Sequence, residues 1–118
     1  MDDDALDYGE SPCRCHSPDA NYRQFTSRYL GVDETDGRYA DVEVLQCVEC
    51  GQLWLRYHVE YEGFSQSGRW ARGQITTAEA SAMTPEAAGD AFTAMSGYLY
   101  GGSFYGRSGY GRGAMNWD

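Results

Sequence analysis

The 118-residue sequence predicts a small α+β fold: a three-stranded antiparallel meander with an N-terminal and a C-terminal helix packed against it. Three observations predict it. Apolar and polar residues alternate through the middle of the chain, stretches with helix start and stop signals flank that region, and two close cysteine pairs join the first flank to the meander. A chain of this length holds one core and buries roughly two-thirds of the surface that its unfolded form exposes. Fifteen glycines imply much loop, so the fold needs a staple.

The first element is a helix expected over residues 17–31. Ser17 suits the cap, Pro18 the first turn, Asp19 the positive end of the helix dipole and Gly31 the left-handed stop. Tyr22, Phe25 and Tyr29 then fall on one helical face. After an acidic turn at residues 33–37 the period changes to two. Val42 and Val44 flank Glu43 and lead into Cys47, the first strand. Beyond Gly51, Leu53, Leu55, Tyr57, Val59 and Tyr61 share one face of a second strand. Gln52, Arg56, His58 and Glu60 share the other, with Trp54 the large apolar exception. A loop at residues 63–68 leads to a third strand over 69–75.

Thr84, Pro85 and Glu86 open the C-terminal helix with a cap, a first-turn proline and an early acid. Ala88, Ala91, Phe92 and Met95 form its apolar stripe, expected to pack on the sheet, and Gly97 ends it. No internal repeat is present. The organisation expected is an acidic flexible N-terminus (1–12), a single stapled domain (13–105) and a mobile tail rich in Gly, Tyr and Arg (106–118).

The formal net charge is −9 and the chain contains no lysine. Residues 1–20 carry six acidic side chains against Arg14 alone. Duplex DNA is bound by clusters of Lys and Arg, so this balance argues against it. Residues 1–9 have neither the basic nor the apolar stretch of a secretion signal, and nothing later approaches the roughly 20 apolar residues of a membrane helix. The expectation is a cytoplasmic protein that does not use a membrane. In a reducing compartment, paired cysteines are metal ligands more often than disulfides.

The cysteines occur as Cys13-Arg-Cys15-His16 and Cys47-Val-Glu-Cys50-Gly51. Two short pairs from separate segments are what a closed tetrahedral metal site requires, each pair gripping the ion from one side. Cys13, Cys15, Cys47 and Cys50 form the candidate ligand set. His16 is the alternate for Cys15, because Cys13 and His16 restore a two-residue gap. Thiolates favour Zn2+, and four protein ligands leave no open position, so the zinc would be structural. A redox Cys-x-x-Cys, disulfides and an iron–sulfur cluster are the competing uses of the same residues.

Residues 47–51 resemble the knuckle of zinc-ribbon proteins, in which a Cys-x-x-Cys-Gly turn joins two strands. The resemblance covers Leu45 to Trp54, with a looser match at Cys13 to His16. It implies a small bacterial zinc-ribbon-like protein stapled by one zinc. The first pair departs from the ribbon pattern, being Cys-x-Cys. The order knuckle, hairpin, helix is also similar to a treble clef, but the segment 84–88 offers no Cys or His.

Outside the cysteines, no catalytic motif is present. His58, between Arg56 and Glu60, reads as a surface residue. Trp54, Trp70 and Arg56 are the candidates for contacting a partner, on adjacent strands and near Arg69 and Arg72. Lack of lysine with abundant Ala, Gly, Asp and Arg points to a GC-rich bacterial genome. The leading expectation is therefore a non-enzymatic structural-zinc module that binds another protein, with an immunity protein against a basic toxin as its narrower form. A nucleic-acid or transcription accessory protein using single-stranded RNA weakly, and a thiol redox protein, are the alternatives.

Overall fold

A computed structural model describes residues 13–60, 67–103 and 105–113, apart from the side chain of Asp36. The expected N-terminus (1–12), Tyr61, most of the 63–68 loop and the last five residues of the tail lie outside the described residues.

The architecture is a six-stranded antiparallel sheet whose strands lie side by side in chain order. They are β1 (Phe25–Asp33), β2 (Ala40–Cys47), β3 (Leu53–Val59), β4 (Arg69–Ile75), β5 (Tyr98–Gly101) and β6 (Gly109–Gly111). Between β4 and β5 the chain forms a short helix α1 (Thr77–Ala82) and a longer one, α2 (Pro85–Ala94). Thr76 and Glu79 close a reciprocal capping box on α1, while the Thr84 side chain accepts from the Ala87 N–H to cap α2.

This corrects the three-stranded α+β prediction. The three expected strands are present as β2, β3 and β4, but the sheet continues on both sides. The helix expected over 17–31 does not form. Its start signals make turns, with Ala20 N–H donating to Ser17 O at 3.1 Å, and its second half is β1. The reason lies in the spacing. Phe25 and Tyr29 are four apart, which places them on one face of a helix and equally on one face of a strand. Pairing with β2 from Phe25↔Cys47 to Asp33↔Ala40, across a bulge between Tyr29 and Gly31, decides for the strand. At the other end, Tyr98–Gly101 pairs with β4 and Gly109–Gly111 pairs with β5, so glycine-rich chain closes the second edge.

Alternation sends the two sets of side chains to opposite faces. One face carries Val42, Val44, Leu55, Tyr57, Val59, Ala71 and Ile75, covered by Ala88 and Phe92 of α2. Phe92 stands edge-on to Tyr57 and Tyr98, with centroids 6.3 and 5.6 Å away. Gly73 lies directly beneath Met95 and Phe92, and a Cβ there would collide with the methionine sulfur. Asp33, 1% exposed, belongs to this face and accepts from the Thr35 N–H at 3.0 Å, the Thr35 hydroxyl and the Tyr57 hydroxyl. The other face is covered at one end by the cysteine-bearing segment that precedes β1, around Cys15, Leu45, Cys47, Trp54 and Leu99. Among the described residues, no helix is long and apolar enough to cross a membrane.

Candidate metal centre

Two turns bring the thiols together. Residues 48–50 turn between β2 and β3, with Gly51 N–H donating to Cys47 O at 3.0 Å and Cys47 N–H to Gln52 O at 2.9 Å. Gly51 adopts φ +80°, a conformation that disfavours any residue with a Cβ. The first pair sits on a 3₁₀ turn, Arg14–His16, closed by His16 N–H to Cys13 O at 2.9 Å. An ion pair between Arg14 and Glu49 links the two turns.

The sulfurs of Cys13, Cys15, Cys47 and Cys50 all lie within 4.8 Å of one another, an arrangement that can hold a metal ion. Cys13 to Cys47 and Cys15 to Cys50 are each 3.6 Å apart, and none of the four is in a disulfide. For a tetrahedral ion with metal–sulfur bonds of about 2.3 Å, sulfurs stand about 3.8 Å apart. The cluster therefore has the dimensions of a four-thiolate site.

The surroundings supply donors to the sulfurs. The Gln24 amide donates to Cys47 Sγ at 3.2 Å and lies 4.0 Å from Cys13 Sγ, while the N–H groups of Glu49 and Cys50 approach Cys47 Sγ at 3.4 and 3.5 Å. Burial pushes the Cys47 thiol up, but the Cys50 N–H, Gln24, the Glu49 N–H and Cys13 outweigh it, bringing the thiol down to about 6. Cys15 behaves oppositely. Burial raises its thiol far above the usual range, the neighbouring thiols add to this, and only the Trp54 indole acts to lower it. The Trp54 indole N–H is buried and has no nitrogen or oxygen partner. A donor in that position suits an anionic sulfur, and thiolates are the form that binds metal.

The remaining sequence candidates fall in different places. His16 is not among the clustered ligands; its ring stands edge-on to Trp54, 5.1 Å between centroids. Trp54 is 3% exposed, covered by the cysteine segment and not by a helix. Trp70 is partly buried and lines a cleft of about 520 Å³ with Arg56, Arg72, Phe25, Tyr22 and Glu43. Arg56 donates to Glu43 across β2 and β3 at 3.1 Å. His58 is half-buried, 3.7 Å from Glu60, and burial lowers its pKa.

Sequence reasoning missed Gln24 and the role of Arg72. Gln24 belongs to no pattern, since only the pairing of β1 with β2 carries it to the knuckle, where Val48 N–H donates to Gln24 O at 2.9 Å. Arg72 reads in sequence as a surface arginine beside tryptophans, yet it is 4% exposed. The grouping of Phe25, Trp54 and Trp70 on its face was the available signal. No family model, curated protein or solved structure matches the chain.

Proposed function

We propose that this chain is a non-enzymatic protein-binding module whose fold is stapled by one structural Zn2+ held by Cys13, Cys15, Cys47 and Cys50. The observation that carries this reading is the convergence of four thiols from two turns within 4.8 Å. Zinc fits the donor set because soft thiolates in a closed tetrahedron suit a d¹⁰ ion without redox chemistry. The ion would join the segment before β1 to the β2–β3 knuckle and so cover one face of the sheet. Its contribution is structural: with four protein ligands there is no position for a substrate.

A redox role is less well supported. Reactive Cys-x-x-Cys pairs sit at helix N-termini, whereas Cys47 and Cys50 flank a turn between strands. The partner surface is assigned to the cleft beside the staple, with Trp70 as aromatic anchor and Arg56 as polar contact. Burial of Trp54 removes it from that surface. With a net charge of −9, a basic protein is the natural partner, in keeping with an immunity-type or accessory role in a bacterium.

Native mass spectrometry tests the staple. One zinc per chain is expected, and a chain that binds no metal overturns the reading. For the surface, the wild type and Trp70→Ala are compared as baits. A protein retained by the first and lost by the second is expected, and identical captured sets would reject the cleft.

A further inference from the structure

Beside the thiols lies a buried cation that has no carboxylate partner among the described residues. Arg72 projects from β4 on the face that the cysteine segment covers. One terminal nitrogen donates to Cys15 O at 3.1 Å and Ser17 O at 2.7 Å. Its guanidinium carbon lies 4.9, 5.2 and 5.4 Å from the ring centroids of Phe25, Trp54 and Trp70. Opposite it on β3 stands Arg56, whose own carboxylate partner is Glu43.

This placement is costly. A buried cation requires compensating charge, and like charges directly opposite on paired strands repel. Three aromatic faces and two carbonyls offset part of the cost. The Arg72 Nε–H is moreover buried without a partner. The Trp54 indole N–H, which likewise has no nitrogen or oxygen acceptor among the described residues, packs in the cluster around Cys15, whose carbonyl Arg72 holds.

Four thiolates around a divalent ion would carry a net charge of −2, and one of them belongs to Cys15, whose carbonyl Arg72 holds. We propose that Arg72 is the counter-ion and positioning residue of the metal centre. Its cation balances part of the thiolate charge, and its hydrogen bonds to Cys15 and Ser17 hold the N-terminal ligand turn against the sheet. The inference rests on the zinc reading. It also connects the centre to the cleft, because residues 18–20, which form a cleft wall, directly follow the two carbonyls that Arg72 holds.

The test compares zinc affinity, by competition with a chromophoric chelator, in the wild type, Arg72→Lys and Arg72→Met. Loss of an outer-sphere partner weakens metal binding by about 10–100-fold. That loss is expected for Arg72→Met, with most of the affinity retained in Arg72→Lys, which keeps the charge. Equal losses in the two variants would reduce Arg72 to a packing role and overturn the proposal, as would wild-type affinity in a folded Arg72→Met. Should Arg72→Met not fold, Arg72→Lys and the Arg72 Nε–H resonance of 15N-labelled wild type decide. Zinc is expected to shift that resonance and slow its exchange; an unchanged resonance overturns the proposal. A wild type that binds no zinc at all instead refutes the zinc reading itself.

Discussion

On one face of the sheet, Phe92 fills the space between Tyr57 and Tyr98 under a ten-residue helix. On the other, Arg72 sits among Phe25, Trp54 and Trp70 beneath a short segment that carries two of the four thiols. The first core follows from apolar area: alternating Val, Leu and Tyr meet Ala and Phe, and water is excluded without directional bonds. The second mixes Leu45, Trp54 and Leu99 with the thiols of Cys15 and Cys47. Its covering chain holds two short 3₁₀ turns, Arg14–His16 and Tyr22–Gln24, and it depends on sulfur, cation and carbonyl contacts that act only at fixed distances. A helix-backed sheet tolerates small adjustments, whereas a clamp built from charges and ligands is all or nothing. The difference predicts that the two faces fail under different insults.

Metal removal has the largest expected effect. Structural zinc supplies on the order of 10 kcal/mol to small metal domains, so a strong chelator is expected to shift the denaturant midpoint sharply and expose Trp54. Unfolding followed by tryptophan fluorescence with and without chelator checks this; coincident curves would show that the thiolate face needs no ion. Next comes Phe92→Ala, which should cost about 3–5 kcal/mol through the cavity it leaves. Zinc stoichiometry is expected to survive in the folded fraction, and its loss would mean that the two faces act as one unit.

A smaller effect belongs to Asp33. Burial pushes its carboxyl up, but the bonds from Thr35 and Tyr57 outweigh this and hold it below its ordinary value of 3.8. Folding therefore favours the ionised form. Its stabilisation is complete above pH values near 3.8 and is lost as pH falls through the depressed folded value. Tyr57→Phe removes one of the three bonds and should cost about 1–3 kcal/mol, with a shallower acid limb. Equal acid limbs in urea titrations of the two proteins would show that Asp33 contributes nothing there. The smallest effect is expected from the Arg56–Glu43 pair, partly exposed on the thiolate face. A double-mutant cycle should give about 0–1 kcal/mol, and a clearly larger coupling would show that the cleft floor is tighter than its exposure implies.

Much of the central sheet was legible. Alternation in 53–59, broken at Trp54, marks β3 and its two faces, and Thr84 with Pro85 marks the start of α2. Both signals are local, because they depend on backbone period and on the orphan N–H groups of a first helical turn. The cysteine spacing likewise marked four thiols as partners. Three features were not legible. Residues 25–33 carry a spacing of four that both periods allow, and only hydrogen bonding to β2 selects the strand. Gly109–Gly111 has almost no side-chain preference, and becomes β6 because β5 presents an open edge. Arg72 has the composition of a surface residue, and its burial arises when the segment before β1 folds over it.

The sequence by itself determined the period of the central strands, the capped helix after β4 and the grouping of the cysteines into two short turns. Each depends on residues fewer than ten apart, where backbone geometry and side-chain type suffice. Tertiary structure alone decided how many strands the sheet has, which face the cysteine segment covers, and that Gln24, Trp54 and Arg72 surround the sulfurs. The outer strands depend on pairing with β2 and β5, and the surroundings of the sulfurs depend on contacts between residues more than twenty apart. No local pattern encodes them, because the favourable free energy appears only when the distant surfaces have met.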